Sequence, residues 1–303
     1  MKKSVSVMMG VTAALLTACG PEVGQTVSLQ SEEELEQVLP TLRPGDVVEW
    51  GGVGLTVPPQ GEGVHVEALL ADGRQLGFTV QTEQGGEVRW VQPQVVRGDA
   101  DRRRATALTS CEDDSYNLLG YSLKTPYQWS LNLGGAPAYL DGGLAGVENE
   151  IVQATNTITL SRNSCGLVDA VSATHDYLGR TERGTQVSSA GACGSRDGHS
   201  VTGFGSLSDS STLLVGCTWY NTAGEVVESD LLLNVSGVRW ETSVTNCTQS
   251  YLIQPVVTQQ RGRTFGLGRV SNSRLTMGWT FTYCDNSASS LGLGDVRGLR
   301  ALY

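Results

Sequence analysis

Apolar residues return at three- and four-residue intervals in three places along the C-terminal two-thirds of the chain. Leu144, Val147, Ile151 and Ala154 predict one amphipathic helix. Leu252, Val256 and Gln259 lie along one side of a second. Val296, Leu299 and Tyr303 share a face of a third, for which Asp295 is the expected N-cap. Between them, "VDAVSATHDYLG", "SVTGFGSL", "TLLVGCTWYN" and "EVVESDLLLN" predict strands, the last two joined by a turn from Asn221 to Gly224. Nearer the N-terminus the pattern is strand-like almost throughout: "DVVEWGGVGLTV", "VHVEALL", "QLGFTVQT" and "EVRWVQ". Asp72-Gly73 and Gly85-Gly86 mark turns. A short helix opens at Ser31 with Glu34 completing a capping box, and Leu35, Val38 and Leu39 form its stripe. Residues 31–95 therefore read as a small β-rich module, the charged 96–110 as a linker, and 111–303 as an α/β or α+β domain in which helices alternate with strands. Arg102-Arg103-Arg104 in the linker reads as a solvated basic run, with a processing site as the alternative.

The first residues decide the compartment. Lys2 and Lys3 precede a run from Val5 to Leu16 that is apolar but too short to span a bilayer, which is the form of a secretory signal over 1–18. Leu16-Thr17-Ala18-Cys19 resembles the lipobox of bacterial lipoproteins, so Cys19 is the expected lipidation site and 19–30 a tether. Acyl chains on one cysteine hold a protein at a membrane without a transmembrane helix. The expected location is the cell envelope, the outer membrane in a Gram-negative cell. The chain has 21 basic and 31 acidic residues, and losing Lys2 and Lys3 leaves 19 against 31, a net charge of −12. That balance disfavours nucleic acid as a partner. Six cysteines remain after Cys19, an even number in an oxidising compartment, which reads as disulfides in one of about 15 pairings.

The stretch "VVTQQRGRTFGLGRVSNSRLTMGWTFTYC", residues 256–284, carries chemistry by omission. The metzincin zinc signature is H-E-x-x-H-x-x-G-x-x-H followed by a Met-turn. Two histidines four apart share a helix face and one metal, and the glycine turns the chain so that a third returns to it. On that frame Gln259, Arg263 and Arg269 stand at the three ligand positions, Gln260 at the general-base position, Gly266 at the turn and Met277 at the Met-turn. The closing "LGLGDVRGLRALY" resembles the final helix of matrixins, and "EVVESDLLLN" with Trp240 resembles the segment before their zinc helix. Residues 111–303 thus resemble the matrixin-like metzincins. The resemblance implies a twisted, mostly parallel sheet of about five strands and a peptide cleft along an edge strand above the zinc helix. Cys247 precedes the zinc-like helix and Cys284 follows the Met-turn, so a bridge between them would staple the emptied site and is the preferred disulfide, with Cys193–Cys217 and Cys111–Cys165 as the expected others.

The departures remove the chemistry. Guanidinium has no lone pair for zinc, and an amide is no base near neutral pH. The three histidines, His65, His175 and His199, lie apart in sequence and read as structural, and the Glu228/Asp230 pair reads as a solvated edge or an arginine partner. No metal cofactor is expected. The functional expectation is an inactive, matrixin-like lipoprotein holding a peptide or protein in the vacated cleft, by strand addition. Arg263 and Arg269 are expected at the old zinc position with an acidic or amide partner, or else turned to water. The alternative is a zinc-dependent metalloendopeptidase with unusual ligands.

Overall fold

The computed structural model describes residues 24–29, 34, 37–91, 94–97, 108–168 and 171–303. Cys19, the linker arginines Arg102–Arg104 and most of the helix expected from Ser31 lie outside these residues. What is described of that helix is followed by a 3-10 turn, Leu39–Thr41.

Strands come first. β1 (Thr26–Leu29), β2 (Val47–Trp50), β3 (Val53–Thr56), β4 (Glu62–Leu70), β5 (Gln75–Thr82), β6 (Val88–Trp90) and β7 (Gln94–Arg97) precede the linker. β8 (Tyr116–Leu118), β9 (Tyr127–Asn132), helix α1 (Gly143–Thr159), β10 (His175–Arg180), β11 (Ala192–Cys193), β12 (Val201–Gly205), β13 (Thr212–Asn221) and β14 (Val226–Asn234) follow it. The chain ends with β15 (Trp240–Glu241), β16 (Tyr251–Leu252), α2 (Ile253–Thr264), β17 (Leu267–Gly268) and α3 (Leu293–Leu302). The class is mixed, with three α-helices and several sheets among the described residues.

The main sheet corrects the expected one. It has eight strands in the order β10-β9-β12-β14-β13-β4-β5-β6. The first three pairings are parallel and the last four antiparallel. The physical reason is β4: it pairs with β13 over the whole strand, so the N-terminal strands extend the sheet instead of forming their own. The module also contributes to a second sheet, β1-β2-β3-β11, whose last strand comes from the other side of the linker.

β13 and β14 are buried on both faces, which explains their near-continuous apolar runs. Successive side chains alternate between two cores. Val215, Cys217 and Trp219 join Val64, Val66, Ala68, Leu70 and Phe78 in one. Leu214 and Tyr220 join Leu69, Val147, Ile151, Val256 and Phe265 in the other, where α1 packs on α2. In α1 the predicted stripe holds for Val147, Ile151 and Ala154, while Leu144 is exposed. α3 begins one turn earlier than its expected cap: Gly292 is the N-cap and Asp295 lies at the third helical position. Three disulfides close the C-terminal region, Cys111–Cys165, Cys193–Cys217 and Cys247–Cys284.

Candidate functional site

α2 is an unusual helix. Eleven of its twelve residues are buried, yet its last seven are Thr258, Gln259, Gln260, Arg261, Gly262, Arg263 and Thr264. Buried polar groups must find partners, and buried charges most of all. The partners define the site.

Gln259 donates from Nε2 to the carbonyls of Thr276 (2.6 Å) and Trp279 (3.1 Å). Its Oε1 is buried with no hydrogen-bond partner, and so is the Oε1 of Gln260. Gln260 lies across β13: a Cβ built on Gly216 would fall 2.1 Å from its Nε2. Glycine at 216 is what lets the helix approach the strand this closely. Met277 lies beneath the same helix, in a 3-10 turn from Thr276 to Gly278, with Sδ 2.3 Å from where a Gly262 Cβ would be. Asp295 fixes that turn. Its carboxylate accepts the backbone N–H groups of Thr276 (2.9 Å), Met277 (3.1 Å) and Gly292 (2.9 Å). This is why Asp295 is not an ordinary cap: it ties two segments together. Gly266, at φ +90°, turns the chain out of α2, and its carbonyl accepts Leu119 N–H at 2.9 Å.

Arg263 is wholly buried and points into the sheet. Nε donates to Glu67 Oε1 at 2.8 Å. Nη2 donates to Gln75 Oε1 (2.7 Å) and to the Met277 carbonyl (3.2 Å), and Nη1 to the Leu267 carbonyl (3.1 Å). Glu67 sits on β4 and Gln75 on β5, so the side-chain partners of Arg263 come from the N-terminal module. Burial alone would raise the Glu67 carboxyl, but Arg263, helped by His65, outweighs it and holds the group below the ordinary glutamate value. His65 completes the cluster, with Nε2 3.4 Å from Glu67 and Nδ1 2.8 Å from the Thr79 hydroxyl. The period of two along β4 accounts for the grouping. His65 and Glu67 face α2, while Val64, Val66 and Ala68 face the other core.

Arg269 does not join Arg263. Its side chain is exposed, on the segment after β17, so of the two expected courses Arg263 takes the partnered one and Arg269 the solvent-facing one. The sequence pattern did not single out Arg261, which occupies the opposite face of α2. It donates to the hydroxyls of Thr155 (3.2 Å), Tyr127 (2.6 Å) and Thr202 (2.6 Å). The faces of Trp129 and Tyr127 lie 4.6 and 4.9 Å from its Cζ. Burial lowers its pKa from the ordinary arginine value, against the opposing pull of Tyr127 and Asp230. A signal for it existed: an arginine in the interior of an apolar-periodic helix must be matched by such acceptors.

The carboxylates Glu228 and Asp230 are neither a solvated edge nor arginine partners in direct contact. Both are buried on β14 and receive backbone N–H groups. Asp230 accepts from Gln186 (2.5 Å) and Val201 (2.7 Å), and Glu228 from Asp197 (3.1 Å) and Gly198. They pin the long segment between β10 and β12 to the sheet. Burial pushes Asp230 up to about 7 despite its two N–H donors. His175 is bound between Trp129 Nε1 (3.2 Å) and Asn156 Oδ1 (3.0 Å), where burial and then the charge of Arg261 lower its pKa, and His199 is exposed.

Zinc does not suit these groups. At the frame positions themselves the donors are two amide oxygens, and the nearby carboxylate of Glu67 is already paired with the buried Arg263 cation, with His65 on its other side. Among the described residues no three of His, Cys, Asp and Glu are grouped to hold a metal. In comparison with known proteins, no family model and no curated protein matches the chain.

Proposed function

We propose that the chain is a catalytically inactive, matrixin-like protein of the cell envelope, anchored through Cys19, whose former active site has become a docking surface. The observation that carries this is the Arg263–Glu67 pair. At the second ligand position of the zinc frame stands a group that no metal can use, and a carboxylate satisfies it. Gln260, at the general-base position, offers an amide that takes no proton near neutral pH. The strands contributed by residues 111–303 to the main sheet, β10-β9-β12-β14-β13, number five with three parallel pairings, which supports the resemblance.

On this reading the occupant of the cleft is the chain's own N-terminal module. β13 has β14 on one side and β4 on the other, so it offers no free edge to a peptide from outside. The strand beside β13 is β4 of the chain's own module, whose Glu67 meets Arg263 of α2. The alternative, a zinc-dependent metalloendopeptidase, requires Arg263 to leave a buried carboxylate and an amide oxygen behind.

Metal analysis of the purified protein, together with hydrolysis of a peptide library with and without chelator, tests the proposal. Zinc well below one per chain and no chelator-sensitive cleavage are expected. One zinc per chain with chelator-sensitive hydrolysis would overturn it. Acyl labelling that is lost on Cys19→Ala checks the anchor separately.

A further inference from the structure

The linker divides the chain covalently, and no disulfide crosses it. No cysteine lies between Cys19 and Cys111, and all three bridges join residues of 111–303. What holds residues 24–97 to the rest, apart from the chain itself, is non-covalent.

Three observations show how strong that hold is. β4 pairs antiparallel with β13 from Glu62 opposite Asn221 to Leu70 opposite Thr212. The apolar face of β13 is completed by the module: Val215, Cys217 and Trp219 are in one cluster with Val64, Val66 and Val80. Removing the module would expose them. Third, β11 grips β3 in parallel, and Cys193 on β11 is bridged to Cys217 on β13. Two of the strands that hold the module are thus fastened to each other, and a third, β8, pairs antiparallel with β7. The Arg263–Glu67 pair lies at the centre of this surface, and among the described residues it is the only wholly buried arginine–carboxylate pair that joins the two sides.

We infer that residues 24–97 are the resident ligand of the 108–303 domain, bound as a separate partner would be, with Arg263 reading the carboxylate of Glu67, and that the complex persists when the linker is cut. This rests on the reading of the site as a docking surface, yet the two fail differently. A zinc-loaded enzyme would lose the Arg263–Glu67 pair but keep the β4–β13 pairing and the shared core, and a module that falls away would leave the inactive site as it is. A buried charge stripped of its partner is among the most damaging losses in an interface, whereas replacing both charges by apolar groups of similar size is often neutral.

The experiment places a site-specific endoprotease sequence in the 98–107 segment of the full chain, cuts it without reductant, and follows the fragments by size exclusion at about 1 μM. Co-elution at equal stoichiometry is expected, and separation would overturn the inference. In the cut complex, Glu67→Gln or Arg263→Gln should speed dissociation by about a hundredfold or more. Rates within about twofold of the parent would overturn the role of Arg263. If the single variants do not fold, Glu67→Leu/Arg263→Met decides: co-elution supports docking through the shared core, and separation rejects it.

Discussion

Gly266 tests the turn that carries the chain out of α2. Its φ of +90° lies where an L side chain is disfavoured, and a Cβ there would come within 2.1 Å of the Tyr121 carbonyl oxygen. That neighbour is backbone and has little freedom to yield. Its own carbonyl also accepts the Leu119 N–H, so displacement of the turn weakens the β17–β8 pairing. The conformational cost of Gly266→Ala is about 1–2 kcal/mol. The overlap adds roughly 1–3 kcal/mol, as overpacking in a dense interior does. Gly120 provides the control. It has φ +84° with nothing within 4 Å of the place a Cβ would take, so Gly120→Ala carries the conformational cost alone. Equilibrium urea unfolding of both variants should place Gly266→Ala below Gly120→Ala by about 1–3 kcal/mol, a midpoint difference in thermal unfolding of roughly 2–10 °C. Equal losses would refute the close approach of Tyr121 and with it the described path of the turn.

Other consequences follow from the buried polar groups. Arg261→Lys should cost about 2–4 kcal/mol, because an ammonium cannot fork to Thr155, Tyr127 and Thr202 or lie flat between Trp129 and Tyr127; a loss under about 0.5 kcal/mol by denaturant titration would contradict that geometry. Asp230, raised by burial to about 7, binds its proton more tightly when folded than when unfolded. Its contribution is therefore complete below about pH 4 and is lost as the pH rises through about 7, on the order of 2–4 kcal/mol. Stability measured from about pH 4 to about pH 8 should fall across that window, and Asp230→Asn should flatten the fall; an unchanged slope would reject the assignment.

How much of this was legible beforehand depends on the range of each interaction. Val147, Ile151 and Ala154 announced α1 because helix burial follows a local period. Val64, Val66 and Ala68 announced β4 for the same reason. The eight-stranded sheet was not legible, because the partner of a strand is not written in the strand. The apolar pattern separates a module before the linker from a domain after it, and nothing in either half says that β4 and β13 are neighbours. For the site, the identities at 259, 260 and 263 were enough to raise doubt about zinc, since donor chemistry is a property of single residues. The carboxylate that answers Arg263 lies 196 residues away and could not be picked out among 31 acidic side chains. His65 and Glu67 did carry a hint, as two polar residues on one face of an otherwise apolar strand. Of the two courses expected for the arginines, Arg269 takes the exposed one, because a position in a sequence frame does not fix where a long side chain goes.

The pairing of β4 with β13 has a further consequence for how the polypeptide is made. Val66 lies opposite Cys217, so 151 residues separate the two positions in the chain. Contacts of such long range are slow to form, since the entropy of closing the loop is lost before any contact offsets it. At ordinary rates of synthesis, about 5–20 residues per second, the β4 segment emerges on the order of ten seconds or more before its partner exists. During that interval Val64, Val66 and Leu70 lack the strand that later covers their edge, and an unpaired strand of this composition is prone to aggregate. The arrangement that seals the finished molecule therefore makes its nascent form dependent on protection until β13 has been synthesised.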